Sequence, residues 1–141
     1  MDILKQINEG IKAHRACAKF KEGDIASLVE QLFTPQGVEF VLNTSYPNLY
    51  TFRDLQEQVD LKPYGIFVDA GNITLKEQRR AFIIGETTAN LEYSDLASNT
   101  VCAMYGAKVN ISASGYAVVR IEHDELSEIY TNAIDNAVIL W

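Results

Sequence analysis

Few side chains in this sequence have the type and spacing to do chemistry. His14 and Cys17 lie three residues apart, which puts both on one face of a helix and could supply two metal ligands. No second pair lies near them, since His123 and Cys102 fall in the other half of the chain. Two ligands do not close a tetrahedral site, so we read His14 and Cys17 as packed side chains and expect no metal and no cofactor.

Glu122, Asp124, Glu125 and Glu128, with His123 among them, form an acidic cluster. Paired carboxylates can act as acid and base in glycoside hydrolysis, but such enzymes bind their substrate along a groove that a short fold hardly provides. The expected role of these four acids is a solvated loop, with a partner or cation contact as the alternative. Lys76, Arg79 and Arg80, partly offset by Glu77, read as a solvated turn. No Ser-His-Asp spacing supports nucleophilic catalysis, and neither phosphate-cradling glycine motif is present. No catalytic residue is assigned, and the expected function is non-enzymatic.

Charge narrows the partners. Residues 1–63 carry seven Lys/Arg against nine Asp/Glu, a net −2, and residues 64–141 carry five against ten, a net −5. An acidic second half disfavours direct nucleic-acid binding, which needs a basic face to release counterions, and equally an anionic membrane. No apolar run approaches the ~20 residues that cross a bilayer, and residues 1–6 lack the apolar stretch of a secretory signal. The expected location is cytoplasmic. There, Cys17 and Cys102 are expected as buried thiols rather than a disulfide.

The elements that must position these residues differ between the two halves. Four helical stretches fit residues 1–58. Ile3, Leu4, Ile7 and Ile11 recur at helical spacing, and Ile25, Leu28, Val29 and Leu32 do so after Asp24. Thr34 can cap a third helix, with Pro35 in its first turn, and Asn48 a fourth with Leu49, Phe52 and Leu55 on one face. Lys62-Pro63-Tyr64-Gly65 reads as a turn, not a tether.

After Tyr64 the period changes to two. A unit of small residue, any residue, aliphatic, any residue, aliphatic or aromatic begins at Gly71, Ala89, Ala107, Ala117 and Ala137, at spacings of 18, 18, 10 and 20. Weaker apolar runs at 81–84, 101–104 and near 128–130 fill the gaps. A short strand about every ten residues, with Gly, Asn, Asp and Ser between, predicts a parallel β-solenoid over residues 64–141. Two strands per coil give about four coils of ~18–20 residues, with three per coil as the other option. In this register Ala107, Val109, Ile111 and Ala113 point inward and Lys108, Asn110 and Ser112 outward. The fold class is α+β, with residues 1–63 expected as a helical cap on the solenoid. The rival is an antiparallel β-sandwich or meander, which shares the strand spacing but has no reason to repeat residue identities.

Three stretches, Pro35-Gln36-Gly37-Val38-Glu39-Phe40, residues 64–71 (Tyr-Gly-Ile-Phe-Val-Asp-Ala-Gly) and residues 105–111 (Tyr-Gly-Ala-Lys-Val-Asn-Ile), resemble stretches in small uncharacterised proteins of gut Bacteroidetes and their phages or mobile elements. That group carries no assigned activity and transfers no functional residues. The resemblance implies an accessory protein rather than a housekeeping enzyme.

The expected function is therefore an interaction or accessory protein that presents a solenoid face to another protein. One alternative is an acidic nucleic-acid mimic that inhibits a DNA-binding protein, which would need outward acids in regular rows. The other is a small carbohydrate- or ligand-binding domain, for which Tyr93, Tyr105 and Tyr116 are candidate aromatics, although Tyr93 falls inward. The last strand, Ala137-Val138-Ile139-Leu140-Trp141, has no charge or proline to blunt its edge. Alternation leaves either Val138 and Leu140 or Ile139 and Trp141 outside, and these four residues are the expected interface of a homodimer, unless Trp141 folds back as a plug.

Overall fold

The computed structural model describes residues 34–46 and 48–141. His14, Cys17 and the helical stretches expected at 3–18 and 24–32 lie outside the described residues. The chain divides into two compact units, residues 1–64 and 65–141. Among the described residues no helix is long and apolar enough to cross a membrane.

In the first unit, helix α1 (Pro35–Thr44) and helix α2 (Leu49–Gln58) begin at the expected caps. The Thr34 hydroxyl accepts a hydrogen bond from Gly37 N at 3.0 Å, and Asn48 Oδ1 accepts from Thr51 N at 2.9 Å, so each satisfies an amide that the helix itself leaves orphaned. Val38 and Val41 of α1, and Phe52 and Leu55 of α2, are buried, as their three-residue spacing requires. A single 3-10 turn, Lys62–Tyr64, precedes Gly65, whose φ of +80° suits glycine and where a Cβ would collide with the Arg80 carbonyl oxygen.

The second unit is a parallel β-solenoid. Its strands are β1 (Ile66–Val68), β2 (Gly71–Lys76), β3 (Arg80–Ile84), β4 (Thr87–Tyr93), β5 (Ser98–Met104), β6 (Lys108–Ala113), β7 (Val118–His123), β8 (Glu128–Ala133) and β9 (Val138–Leu140). Odd strands form a five-stranded sheet in the order β1-β3-β5-β7-β9, and even strands a four-stranded sheet in the order β2-β4-β6-β8. Every neighbouring pair is parallel. Each coil thus contributes one strand to each sheet, four coils are complete, and β9 opens a fifth. The antiparallel alternative is excluded by these pairings.

Register sets the coil length. Thr88 opposes Lys108 and Lys108 opposes Glu128, which is twenty residues per coil. The first coil is shorter: Ile66 opposes Phe82 and Gly71 opposes Thr87, sixteen residues on. The missing four come out of one turn, since Lys76 pairs with Glu92 and Arg80 with Thr100. The units that repeat in the sequence are therefore not all equivalent in space. Gly71 faces Thr87 rather than Ala89, and the copies at Ala117 and Ala137 lead into the five-stranded sheet while the other three form the four-stranded one. A two-residue offset keeps every side chain on its own face, so the alternation alone could not reveal it.

Between the sheets lies a core of stacked small and aliphatic side chains. Ile73, Ala89, Val109 and Ile129 form one ladder and Leu75, Leu91 and Ile111 another; Ala81, Val101 and Ile121 face them from the other sheet. Each fully buried Val, Leu or Ile contributes about 1.5–3 kcal/mol. The inward set of residues 107–113 is as expected, with Ala107, Val109, Ile111 and Ala113 all buried.

Candidate functional site

The turns of the solenoid are joined from coil to coil by carboxylates. Asp69 Oδ1 accepts a hydrogen bond from Glu86 N at 2.8 Å, Asp124 Oδ2 from Tyr105 N at 2.7 Å and Asp135 Oδ2 from Gly115 N at 3.2 Å. Each satisfies a turn amide of the adjacent coil, where the backbone ladder is interrupted.

The fourth such acid repairs the short first coil. Glu77 Oε1 accepts from Ser94 N at 2.6 Å and from the Ser94 hydroxyl, and Oε2 accepts from Asp95 N. Arg79 bridges Glu77 Oε2 at 3.0 Å, Asp95 Oδ2 at 2.9 Å and Asn99 Oδ1 at 2.9 Å. Buried Asn99 passes the network on to Val118 O at 3.0 Å. Tyr93 lies inward, as expected, and its hydroxyl donates to Gln78 O at 2.8 Å. Desolvation opposes the ionised form of Glu77, but the hydrogen bonds from Ser94, Arg79 and Asp95 outweigh it and hold its pKa below the usual carboxylate value. The basic cluster is thus more than a solvated turn: Arg79 is built into the fold, while Lys76 lies exposed, 3.8 Å from Glu92.

The acidic cluster is divided among three places. Glu122 stands on the outer face of the five-stranded sheet, 3.6 Å from Arg120. Asp124 sits in the corner and is engaged by Tyr105 N and by Ser127 N at 3.0 Å. Glu125 is exposed in the same corner, and Glu128 is exposed at the start of β8 in the other sheet. Glu122 and Glu128 therefore face opposite sides, and the four acids do not converge. Among the described residues no group of three His, Cys, Asp or Glu side chains could hold a metal ion. Cys102 is fully buried, and burial, helped by the charges of Glu122 and Asp124, pushes its thiol pKa far above the ordinary value. Burial likewise raises Tyr105. Neither group is poised to ionise near neutral pH.

Two surfaces remain. On the five-stranded sheet, the outward apolar side chains of the first three strands, Ile66, Val68, Phe82, Ile84, Cys102 and Met104, are buried, while Arg80 and Ser98, at the start of β3 and β5 on the same face, are exposed. In β7 and β9 the same face carries Val118, Arg120, Glu122, Val138 and Leu140. Val138 is 45% and Leu140 48% exposed. Ile139 is directed inward and half-buried against the core, so it is not part of that face. Trp141 is 65% exposed and meets His123 edge-on at 5.9 Å between ring centroids, so it does not plug the solenoid interior.

The second surface is the outer face of the four-stranded sheet, where successive rows read Asn72, Thr88, Lys108, Glu128; Thr74, Asn90, Asn110, Tyr130; and Lys76, Glu92, Ser112, Asn132. These rows mix signs and neutral groups and give no regular array of acids. The sequence missed this surface because its residues are unremarkable singly, and only the sixteen- and twenty-residue registers align them. No protein-family model matches the chain, and neither a curated protein nor a solved structure is significantly similar to it.

Proposed function

We propose that this chain is a non-enzymatic interaction protein that docks another protein on the outer face of its five-stranded sheet, at β7 and β9. One observation carries the reading. A sheet face whose apolar side chains are withdrawn from solvent along three strands becomes, at its far end, an exposed apolar pair, Val138 and Leu140, rimmed by the Arg120–Glu122 ion pair. An apolar centre with a charged rim is the anatomy of a protein interface. The reading is also supported by the employment of Asp69, Glu77, Asp124 and Asp135 as turn-amide acceptors, which leaves them a structural task. The resemblance to proteins of Bacteroidetes, their phages and mobile elements is the reason to seek the partner in such a cell, where the chain would act as an accessory factor.

A photo-crosslinking residue placed at 138 or 140, and as a control at 90 on the opposite sheet, tests this in native cells. A discrete adduct from 138 and 140 but not from 90 is expected. An adduct of twice the chain mass identifies the partner as a second copy, the homodimer. No adduct from 138 or 140, or equal adducts from all three positions, overturns the reading.

A further inference from the structure

The outer face of the four-stranded sheet holds an open groove of about 450 Å³ on the side of the turns that follow β4 and β6. Its floor is the row Lys76, Glu92, Ser112 and Asn132, successive register partners along the solenoid. Ser114 and Ile134 line its turn side. Tyr130, two residues from Asn132 on the same face, is 62% exposed just outside that lining.

We propose that this groove binds a neutral oligosaccharide of about two pyranose units, a size that fits its volume. Four features of the groove select that class. First, its charges are paired off, Lys76 with Glu92 at 3.8 Å and Arg79 with Glu77 and Asp95, which leaves one net negative charge. An anion gains nothing from such a site. Second, among the described residues the side chains of Ser112, Ser114 and Asn132 have no protein hydrogen-bond partner. Two hydroxyls and an amide supply donors and acceptors together, which is what sugar hydroxyls require. Third, Tyr130 is an exposed aromatic two residues from Asn132 on the same strand face, where it can meet the C–H face of a pyranose that extends past Asn132. Fourth, the rungs repeat every ~4.8 Å along the row, close to the length of one sugar ring, so consecutive units of a chain meet consecutive rungs. Binding, not cleavage, is the activity: Glu77 and Asp95 are engaged by Arg79 and turn amides, leaving Glu92 without the second free carboxylate that hydrolysis needs.

This site is on the sheet opposite the proposed protein contact, and either can fail without the other. The full chain is screened against an array of neutral α- and β-linked hexose and N-acetylhexosamine oligosaccharides, with oligogalacturonate and spermine as charged controls. The best neutral glycan is then titrated by calorimetry. Selective binding of a neutral glycan is expected. Tyr130→Ala should weaken it at least about tenfold and Asn132→Ala about fivefold, with the thermal melt unchanged. Val138→Lys, on the other sheet, should leave glycan affinity as it was. Absence of binding to every neutral glycan overturns the proposal. So does equal binding of the charged controls, or full affinity in both groove variants.

Discussion

The two sheets of the solenoid are wound from the same chain, coil by coil, yet they are written differently. Strands β4 and β6 alternate strictly: Ala89, Leu91 and Tyr93 are buried with Asn90 and Glu92 exposed between them, and Val109, Ile111 and Ala113 are buried with Asn110 and Ser112 exposed. Strands β3 and β5 do not alternate. Ala81, Phe82, Ile83 and Ile84 are all buried, as are Val101, Cys102, Ala103 and Met104. A parallel strand covered on both faces reads as a continuous apolar run, whereas one with a wet face reads as alternation. The odd strands teach a second lesson, because their pattern changes along the stack. Cys102 opposes Glu122 in the next coil, and from β7 onward every outer-face side chain is at least partly open to solvent. The five-stranded sheet is thus a buried sheet at one end and a surface at the other.

Placing a single charge on each face in turn would break or confirm this contrast, and it carries the largest expected effect. In the four-stranded sheet, Ile111→Asp puts a carboxylate into the core ladder and should cost about 3–5 kcal/mol, enough to unfold a marginal domain. Asn110→Asp, one residue away, loses at most an exposed 3.2 Å hydrogen bond to Asn90 and should cost less than about 1 kcal/mol. In the five-stranded sheet the asymmetry should vanish, with Val101→Asp and Cys102→Asp both unfolding the protein. Denaturation followed by circular dichroism decides. If Cys102→Asp melted like the wild type, the outer face of β5 would not be buried.

The same contrast explains what the sequence disclosed. Strict alternation with repeated residue identities made the four-stranded sheet, the parallel winding and the inward set from Ala107 to Ala113 legible. The helix starts at Thr34 and Asn48 were legible because capping is local chemistry. The odd strands read only as weaker apolar runs, because a run buried on both faces has no period. The first coil length was misread by two residues, since Gly71 and Ala89 look like homologous corner residues while hydrogen bonding aligns Gly71 with Thr87. The acidic cluster seemed continuous in sequence, but the corner at Asp124 sends Glu122 and Glu128 to opposite faces. The groove row was invisible because Lys76, Glu92, Ser112 and Asn132 come together only once the unequal coils are in register.

An intermediate effect is expected at the short turn, which holds the two sheets together where four residues are missing. Glu77→Gln keeps the shape but replaces charge-assisted bonds to Ser94, Asp95 and Arg79 with weaker ones, and should cost about 1–3 kcal/mol. The pKa of Glu77 is depressed in the fold, so its ionisation favours the folded state above the unfolded carboxylate pKa near ~4.3, and that contribution is lost as pH falls through the lower folded value. The stability gap between wild type and Glu77→Gln, measured by urea unfolding, should therefore be widest near neutrality and close with acidification below that range. A gap independent of pH would mean that the carboxylate's charge is not what joins these coils.

The smallest effect concerns the opposite corner, where the chain passes from the five-stranded to the four-stranded sheet. Gly71, Thr87, Ala107 and Ser127 hold equivalent places in successive coils, four side chains of different chemistry in one setting. The Thr87 hydroxyl accepts from Ala70 N at 2.9 Å and donates to Ile84 O at 2.9 Å, so both of its functions are satisfied. The buried Ser127 hydroxyl has no hydrogen-bond partner. A buried hydroxyl that makes no bond has lost its water without replacement, whereas removing a satisfied one strands its partners. Thr87→Val, nearly isosteric, should therefore destabilise by about 1–2 kcal/mol, by leaving Ala70 N and Ile84 O without their partner in a part-buried corner. Ser127→Ala introduces the residue that already occupies this place at Ala107, and should be neutral or stabilising by up to about 1 kcal/mol. The two substitutions remove the same group from the same position of the fold, and opposite signs in a denaturant titration are the expected result. A loss of stability in Ser127→Ala equal to that of Thr87→Val would show that the hydroxyl of Ser127 is bonded in solution, by a water bridging it to the corner that Asp124 organises.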